Sequence, residues 1–320
     1  MAAASGTGPE PCTDWPTIVL IAVVYLMVGL ATTLLAQWSL PLSILAAALL
    51  IAQYSSLQHE VMHGHPTPWQ WLNEVMVYPG LTLFIPYQRF RDTHLAHHQD
   101  ERLTDPYDDP ETNYIDPAVW HRLPRWQQAL LRLNNRLAGR MLLGPAIGTW
   151  RICRDDWALA RGGDHSVTRA WLHHLAGVAL VGLWLVAVGS MPVWAFVGAA
   201  YMGFSLLKVR TFLEHRAHDR ASGRSVVIEE RGPLALLYLN NNLHVVHHMH
   251  PKASWYRLPA LYRTNRDHYL RRNDNYVYRS YGEIFRRYFL QAKDPVPHPL
   301  WEPEPAPGQT EKVSAKPFMQ

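Results

Sequence analysis

The sequence predicts an all-α integral membrane protein with two transmembrane helical hairpins, or four spans, joined by interfacial helices and carrying a histidine-rich di-metal cap on the cytoplasmic side. Three observations lead there. Residues 17–36 and 40–57 are almost wholly apolar and hold no charged side chain. None of the 30 Lys and Arg residues precedes Arg89. The chain of 320 residues contains 18 histidines, all in or beside the two basic segments.

About 20 apolar residues make a helix long enough to cross a bilayer. Residues 17–36 meet that length, and residues 40–57 follow after the turn Gln37-Trp38-Ser39. So short a link makes the pair a hairpin. Residues 171–190 and 193–213 form a second pair, turned at Met191-Pro192, with His173, His174, Lys208 and Arg210 near their outer ends. Residues 75–87 are too short to span and contain Pro79, Gly80 and Pro86, which suits a re-entrant or interfacial segment. Residues 126–150 mix leucines with Arg132, Arg136 and Arg140 and read as one amphipathic surface helix. Residues 1–16 form a polar tail and 17–290 the catalytic body. Residues 291–320, rich in Pro and Glu from Asp294 onward, read as a second disordered tail. No basic stretch precedes the first apolar run, so no signal peptide is expected.

Orientation follows from positive charge, which favours the cytoplasmic side. Twelve Arg lie in the 59–170 loop, Lys208 and Arg210 near the end of the fourth span, and sixteen Lys or Arg beyond Leu213. Both termini and the histidines are therefore placed in the cytoplasm. The basic residues flank apolar segments instead of forming a run, which argues against nucleic acid as a partner. Cys12 and Cys153 are too few and too far apart for a disulfide framework or a thiolate metal site.

The histidines fall into clusters. His59-Glu60-Val61-Met62-His63 sits where the second span leaves the bilayer, and its two imidazoles share a helix face. The pattern HxxHH occurs twice, as His94, His97 and His98 and again as His244, His247 and His248. Glu214-His215-Arg216-Ala217-His218 follows the fourth span. With one histidine from that last segment the set numbers nine, too many for one metal and suited to two. Imidazole accepts Fe, Zn and Cu, and histidine-rich sites with open positions suit iron and O2 chemistry. A structural zinc needs only four ligands. His121, His165, His173, His174, His268 and His298 read as ordinary polar surface, while His65, His218 and His250 border the motifs and stay open.

In this order, on a hairpin–loop–hairpin frame, these motifs resemble the membrane fatty acid desaturase/hydroxylase superfamily, whose members include acyl desaturases, lipid hydroxylases and carotenoid ketolases and hydroxylases. The resemblance covers roughly residues 17–290. It implies metal ligation by His59, His63, His94, His97, His98, His244, His247 and His248, with a ninth ligand at His215 or, as the competing choice, His218. Residues 211–216 (Thr-Phe-Leu-Glu-His-Arg) look like the carotenoid-ketolase version of their segment. In many acyl desaturases an Asn stands four residues before that histidine; here the position is Thr211.

The reaction implied is O2-dependent oxidation of an unactivated C–H bond at a di-iron centre, with fatty acyl or lipid desaturation ahead of lipid hydroxylation or carotenoid ketolation. The substrate is a membrane lipid or another hydrophobic molecule. Asp105, Asp108, Asp109 and Glu111 are candidates to hydrogen-bond the ligand histidines, and Asn240, Asn241 and Asn242 to cap or orient the third cluster. The chain has no cysteine-rich iron–sulfur pattern and no nucleotide-binding glycine fingerprint. Electrons are thus assigned to a separate carrier of ferredoxin, rubredoxin or cytochrome b5 type. Two rival readings exist. His59–His63 fits HExxH, the zinc metalloprotease pattern, but that leaves both HxxHH motifs without a role. A metal transporter would carry its ligands at mid-membrane, whereas the first two spans carry no ionisable group before His59.

Overall fold

The computed structural model describes residues 13–98 and 100–301. Of the tails expected at residues 1–16 and 291–320, residues 1–12 and 302–320 lie outside the described residues, and Trp15 and Pro16 already belong to the first helix. Asp14 begins the first helix by accepting hydrogen bonds from the Thr17 backbone N–H (3.3 Å) and the Thr17 hydroxyl (2.8 Å). A carboxylate at this position satisfies donors that the first turn leaves free.

Helix α1 (Trp15–Trp38) and helix α2 (Leu40–Met62) form the first hairpin. Through Ala31–Leu35 the turns of α1 widen to a π-helix. The carbonyls there find partners on other elements: Ala31 O accepts from the Ser43 hydroxyl (2.6 Å), and Thr32 O from the Ser190 and Met191 N–H groups. Irregular backbone at membrane depth persists only where protein satisfies it.

Between α2 and the second long pair lie α3 (Gln70–Met76), α4 (Tyr87–His97), α5 (Pro117–Arg122), α6 (Arg125–Asn134) and α7 (Leu137–Arg161). The segment before α4 is non-helical, and the buried Tyr54 hydroxyl of α2 sits between its Val77 and Pro79 carbonyls. The single amphipathic helix expected over 126–150 is instead two, α6 and α7. Their junction pairs with the later chain, Arg136 opposite Ala292 and the Lys293 N–H on Asn135 O. That later chain, residues 291–301, was expected as tail. It packs against the segment before α5 instead, with the His298 N–H on Ile115 O, the Ile115 N–H on Val296 O, and Val296 buried.

The second long pair is α8 (His165–Ala187) and α9 (Val193–Thr211). Among the described residues three helices are long and apolar enough to cross a membrane, α1, α2 and α8, where the sequence predicted four spans. Helix α9 has 19 residues and carries Lys208 and Arg210 in its last turn. Large apolar side chains stand exposed along the outer faces, among them Val19, Leu26, Leu45, Leu172, Leu183 and Val186. Exposed apolar bands of this extent mark contact with a membrane or a partner.

Beyond α9 the chain forms the cap: strand β1 (Val227–Ile228), α10 (Pro233–Leu237), α11 (His244–Met249), α12 (Leu258–Thr264), α13 (Arg266–Arg272), strand β2 (Val277–Tyr278) and α14 (Tyr281–Tyr288). The strands pair in parallel, Val227 opposite Val277.

Among the described residues the most extensive helix–helix contact is α2 against α9. Small residues make it so: Ala47, Ala48, Ala199, Ala200 and Gly203 are all buried there. Lipid tails are as apolar as leucine, so helices in a bilayer gain by close backbone approach, which small side chains permit. A β-carbon on Gly203 would lie 2.9 Å from the Ala48 carbonyl oxygen and 3.1 Å from Ile51 Cγ2. Gly203→Val is therefore expected to destabilise the protein by about 1–3 kcal/mol, read as a lowered unfolding midpoint in detergent; an unchanged midpoint would refute the tight contact.

Candidate metal centre

Four elements bring histidines to one place. His59 lies in the last turn of α2 and His63 caps it; the chain then leaves through Gly64, whose φ of +93° suits a residue without a side chain. His94 and His97 sit on α4, with His98 just past its end. His244, His247 and His248 lie on α11. His215 follows α9 and is held by backbone pairing with Ser225. Six of the nine rings are buried; His98, His215 and His248 are half-buried.

The nine divide into two groups. One contains His59, His63, His94, His98 and His247; the other contains His97, His215, His244 and His248. Within each, one nitrogen per residue lies within 4.8 Å of every other. Ligands about 2.1 Å from one cation are at most about 4.2 Å apart, so both groups are close to the span of a metal's ligand shell. The HxxHH spacing explains the division. The residue four along lies about 40° from the first around a helix and the residue three along about 60° to its opposite side, so the last two imidazoles of the motif diverge by about 100°. Thus His94 and His98 join the first group and His97 the second, whereas His244 and His248 join the second group and His247 the first. Each motif serves both groups, in opposite sense.

The nitrogens that converge are the Nε2 atoms. His97 and His215 bring theirs to 2.8 Å, His94 and His98 to 2.9 Å, and His215 and His244 to 3.0 Å. His59 Nε2 and His63 Nε2 are buried without a hydrogen-bond partner among the described residues. Buried polar atoms without partners are costly, and a cation bound between the rings would satisfy them. The donor set fits such a group.

The opposite ring nitrogens are held from behind. His97 Nδ1 meets the Asp109 carboxylate at 2.7 Å and His94 Nδ1 meets Glu111 at 3.0 Å. Ser225 Oγ lies 3.2 Å from His215 Nδ1 and Asn241 Oδ1 3.2 Å from His244 Nδ1. Such partners fix the proton on Nδ1 and leave Nε2 free to bind. Of the four loop acids suggested by the sequence, Asp109 and Glu111 take this role. Asp105 instead accepts the backbone N–H groups of Tyr107 and Asp108.

Charge is arranged to the same end. Burial, reinforced by neighbouring imidazoles, pushes His98, His215, His244 and His247 well below the usual histidine range, and His63 to about 2. Neutral imidazole is the form that ligates. His97 goes the other way: burial disfavours its charge, but Glu111 and Asp109 outweigh that and raise it to about 9. Glu111 is held below the usual carboxylate range by His94 and His97 against the effect of its burial.

The remaining histidines go elsewhere. His218 faces Asp274 at 3.1 Å, so His215 and not its neighbour reaches the centre. His65 contacts the Lys252 carbonyl, and His250 the Tyr269 hydroxyl. His174 and His298, read from sequence as polar surface, are buried and bonded to Leu83 O and Thr104 Oγ1 respectively. Their burial depends on contacts from distant segments. Ser225 had no signal in the sequence. Glu214 lay inside a noted segment but had no assigned role; it pairs with Arg210 at 3.0 Å and accepts from Asn241 Nδ2 at 3.3 Å.

Asp109→Asn keeps the shape but removes the charge behind His97. It is expected to lower bound metal or activity by about tenfold to a hundredfold, measured as metal per chain and as turnover. Wild-type values for both would show that the contact does not tune the ring.

The chain matches the protein-family model described as "Fatty acid desaturase" over residues 15–280. A search of curated proteins gives no match. With the family pattern spanning the membrane helices and every one of the nine clustered histidines, the chain belongs to the fatty acid desaturase family.

Proposed function

We propose that this protein is a membrane di-iron oxidoreductase that uses O2 to oxidise an unactivated C–H bond of a lipid, with fatty acyl desaturation as the reaction. The observation that carries the reading is the pair of imidazole groups, nine nitrogen ligands with convergent Nε2 atoms at the ends of apolar helices. One iron would be held by His59, His63, His94, His98 and His247, the other by His97, His215, His244 and His248. When bound, the iron pair supplies O2 activation, a chemistry no amino-acid side chain provides. The chain's own part is to keep most of the imidazoles neutral, to orient them from Asp109, Glu111, Ser225 and Asn241, and to hold the substrate beside them away from water.

A cavity of about 270 Å3 adjoins the centre and reaches both His97 and His215. Phe90, Ile85, Ile147, Phe204 and Leu207 supply its apolar wall. An acyl chain suits such a wall, since transfer of each methylene from water is favourable by about 0.8 kcal/mol. In this reading α9 is the fourth span, and the positive charges place the histidine cap and both termini in the cytoplasm. Electrons come from a separate ferredoxin, rubredoxin or cytochrome b5 type carrier.

The protease alternative loses its general base. Glu60 is occupied, accepting the Trp255 backbone N–H at 2.8 Å, and His59 and His63 are grouped with three further imidazoles. A transporter is disfavoured because the ligands gather at helix ends and not at mid-membrane.

Purified protein is expected to hold about two irons per chain, the number nine imidazoles support. His97→Ala and His247→Ala should each abolish lipid oxidation and reduce bound iron, while exposed His173→Ala should do neither. Mass spectrometry of membrane lipids and pigments with and without expression reports the reaction. Loss of two hydrogens from an acyl chain supports desaturation; gain of an oxygen by a lipid or carotenoid replaces it with hydroxylation or ketolation. Active enzyme without iron would overturn the assignment.

A further inference from the structure

The cavity beside the centre is not uniformly apolar. Lys208 and Arg140 both line it, and among the described residues neither forms an ion pair; Glu111 and Glu214 on the same walls act on Lys208 only from a distance. Lys208 Nζ makes no hydrogen bond or ion pair among the described residues. Its stem crosses α7 at two glycines one turn apart: a β-carbon on Gly144 would lie 3.3 Å from Lys208 Cγ, and one on Gly148 would lie 3.6 Å from Nζ. The two glycines thus leave a groove that carries the ammonium into the cavity. Arg140 is buried and, among the described residues, bonds the Asn134 carbonyl at 2.9 Å and Asn113 Oδ1 at 2.5 Å and faces the Phe212 ring at 5.9 Å, all of them neutral.

The carboxylates along the same walls are already engaged. Asp109 meets His97 and Glu111 meets His94; Glu214 meets Arg210, and Asp294 accepts from the Tyr114 hydroxyl. A cation taken out of water without an anionic partner is unfavourable. Two in one cavity, beside an apolar wall, are a receptor for an amphiphile that brings its own negative charge.

We propose that the cavity binds a lipid with an anionic head, a carboxylate or a phosphate ester, which Lys208 and Arg140 hold while its hydrocarbon lies along Phe90, Ile147, Phe204 and Leu207. The inference rests on the lipid-oxidising reading and narrows it, because a neutral hydrocarbon or carotenoid leaves both cations unpaired. Charge-assisted hydrogen bonds are about twice as strong as neutral ones, so the head sets how the chain is presented to the imidazole groups. Lys208 and Arg140 are positioning residues in this scheme.

The test is binding to purified full-length protein in an uncharged detergent, followed by tryptophan fluorescence or calorimetry. The probes are palmitate, hexadecyl phosphate and hexadecanol, which share one chain and differ in the head. Palmitate or hexadecyl phosphate should bind about tenfold or more tightly than hexadecanol, and the tighter of the two identifies the head. Lys208→Met should remove that preference while bound iron stays at the wild-type level, and Lys208→Arg should restore it. If Lys208→Met does not fold, Lys208→Gln serves as the neutral variant, and the wild-type comparison needs no variant at all. Equal or tighter binding of hexadecanol by the wild type, or an undiminished preference in the neutral variant, would overturn the proposal. Binding is read without turnover. Lipid oxidation by an enzyme with no anionic preference sinks this inference alone; an anionic preference in a protein that never oxidises lipid sinks only the reading of the reaction.

Discussion

Nine imidazole rings meet with their Nε2 edges inward, several pairs of nitrogens about 3 Å apart. Each ring that took up a proton there would face others of like charge in a poorly solvated space, so the cluster is stable only while nearly all its members are neutral. Neutral rings direct lone pairs at one another, which is itself unfavourable unless a cation lies between them. A cation between the rings would relieve that cost, and neutral, convergent imidazoles are the form that could ligate it. His97 shows how the balance is adjusted. Two carboxylates behind it offset the desolvation that lowers the other rings.

The rest of the fold serves to bring those rings to one level. His59 and His63 end a long apolar helix, His215 follows another, and His94, His97 and His98 end a helix packed against α2 and α8. Alanine and glycine at the contact of α2 with α9 set the spacing of the helices that carry the first cluster and His215. The cap then closes over them. Asn242 joins α11 to the Ile228 carbonyl at 2.6 Å, and Asn241 links Glu214 to His244. These contacts couple the membrane helices to the cap, so a change in helix packing is felt at the ligands.

Charge in the neighbouring cavity follows a different rule from charge in the cluster. Beside the rings every carboxylate has a partner, which keeps the imidazoles oriented and the local field balanced. Along α7 and α9, Lys208 and Arg140 form no ion pair among the described residues.

Much of this was legible in the sequence because it is local. Twenty uncharged residues mark a span whatever surrounds them, and HxxHH places three imidazoles on a helix with a known angular offset. The apolar runs, the nine histidines and the family resemblance depend on no distant contact. Tertiary structure decided what depends on several segments at once: the division of each HxxHH between two groups, the placement of His215 and not His218 beside the other rings, and the contacts of Ser225 and Glu214. It also decided the break between α6 and α7, made by chain some 150 residues later, and the burial of His174 and His298. A residue's spacing along one helix follows from backbone geometry alone, whereas its partner across a site depends on how separate elements pack, and no short stretch of sequence encodes that.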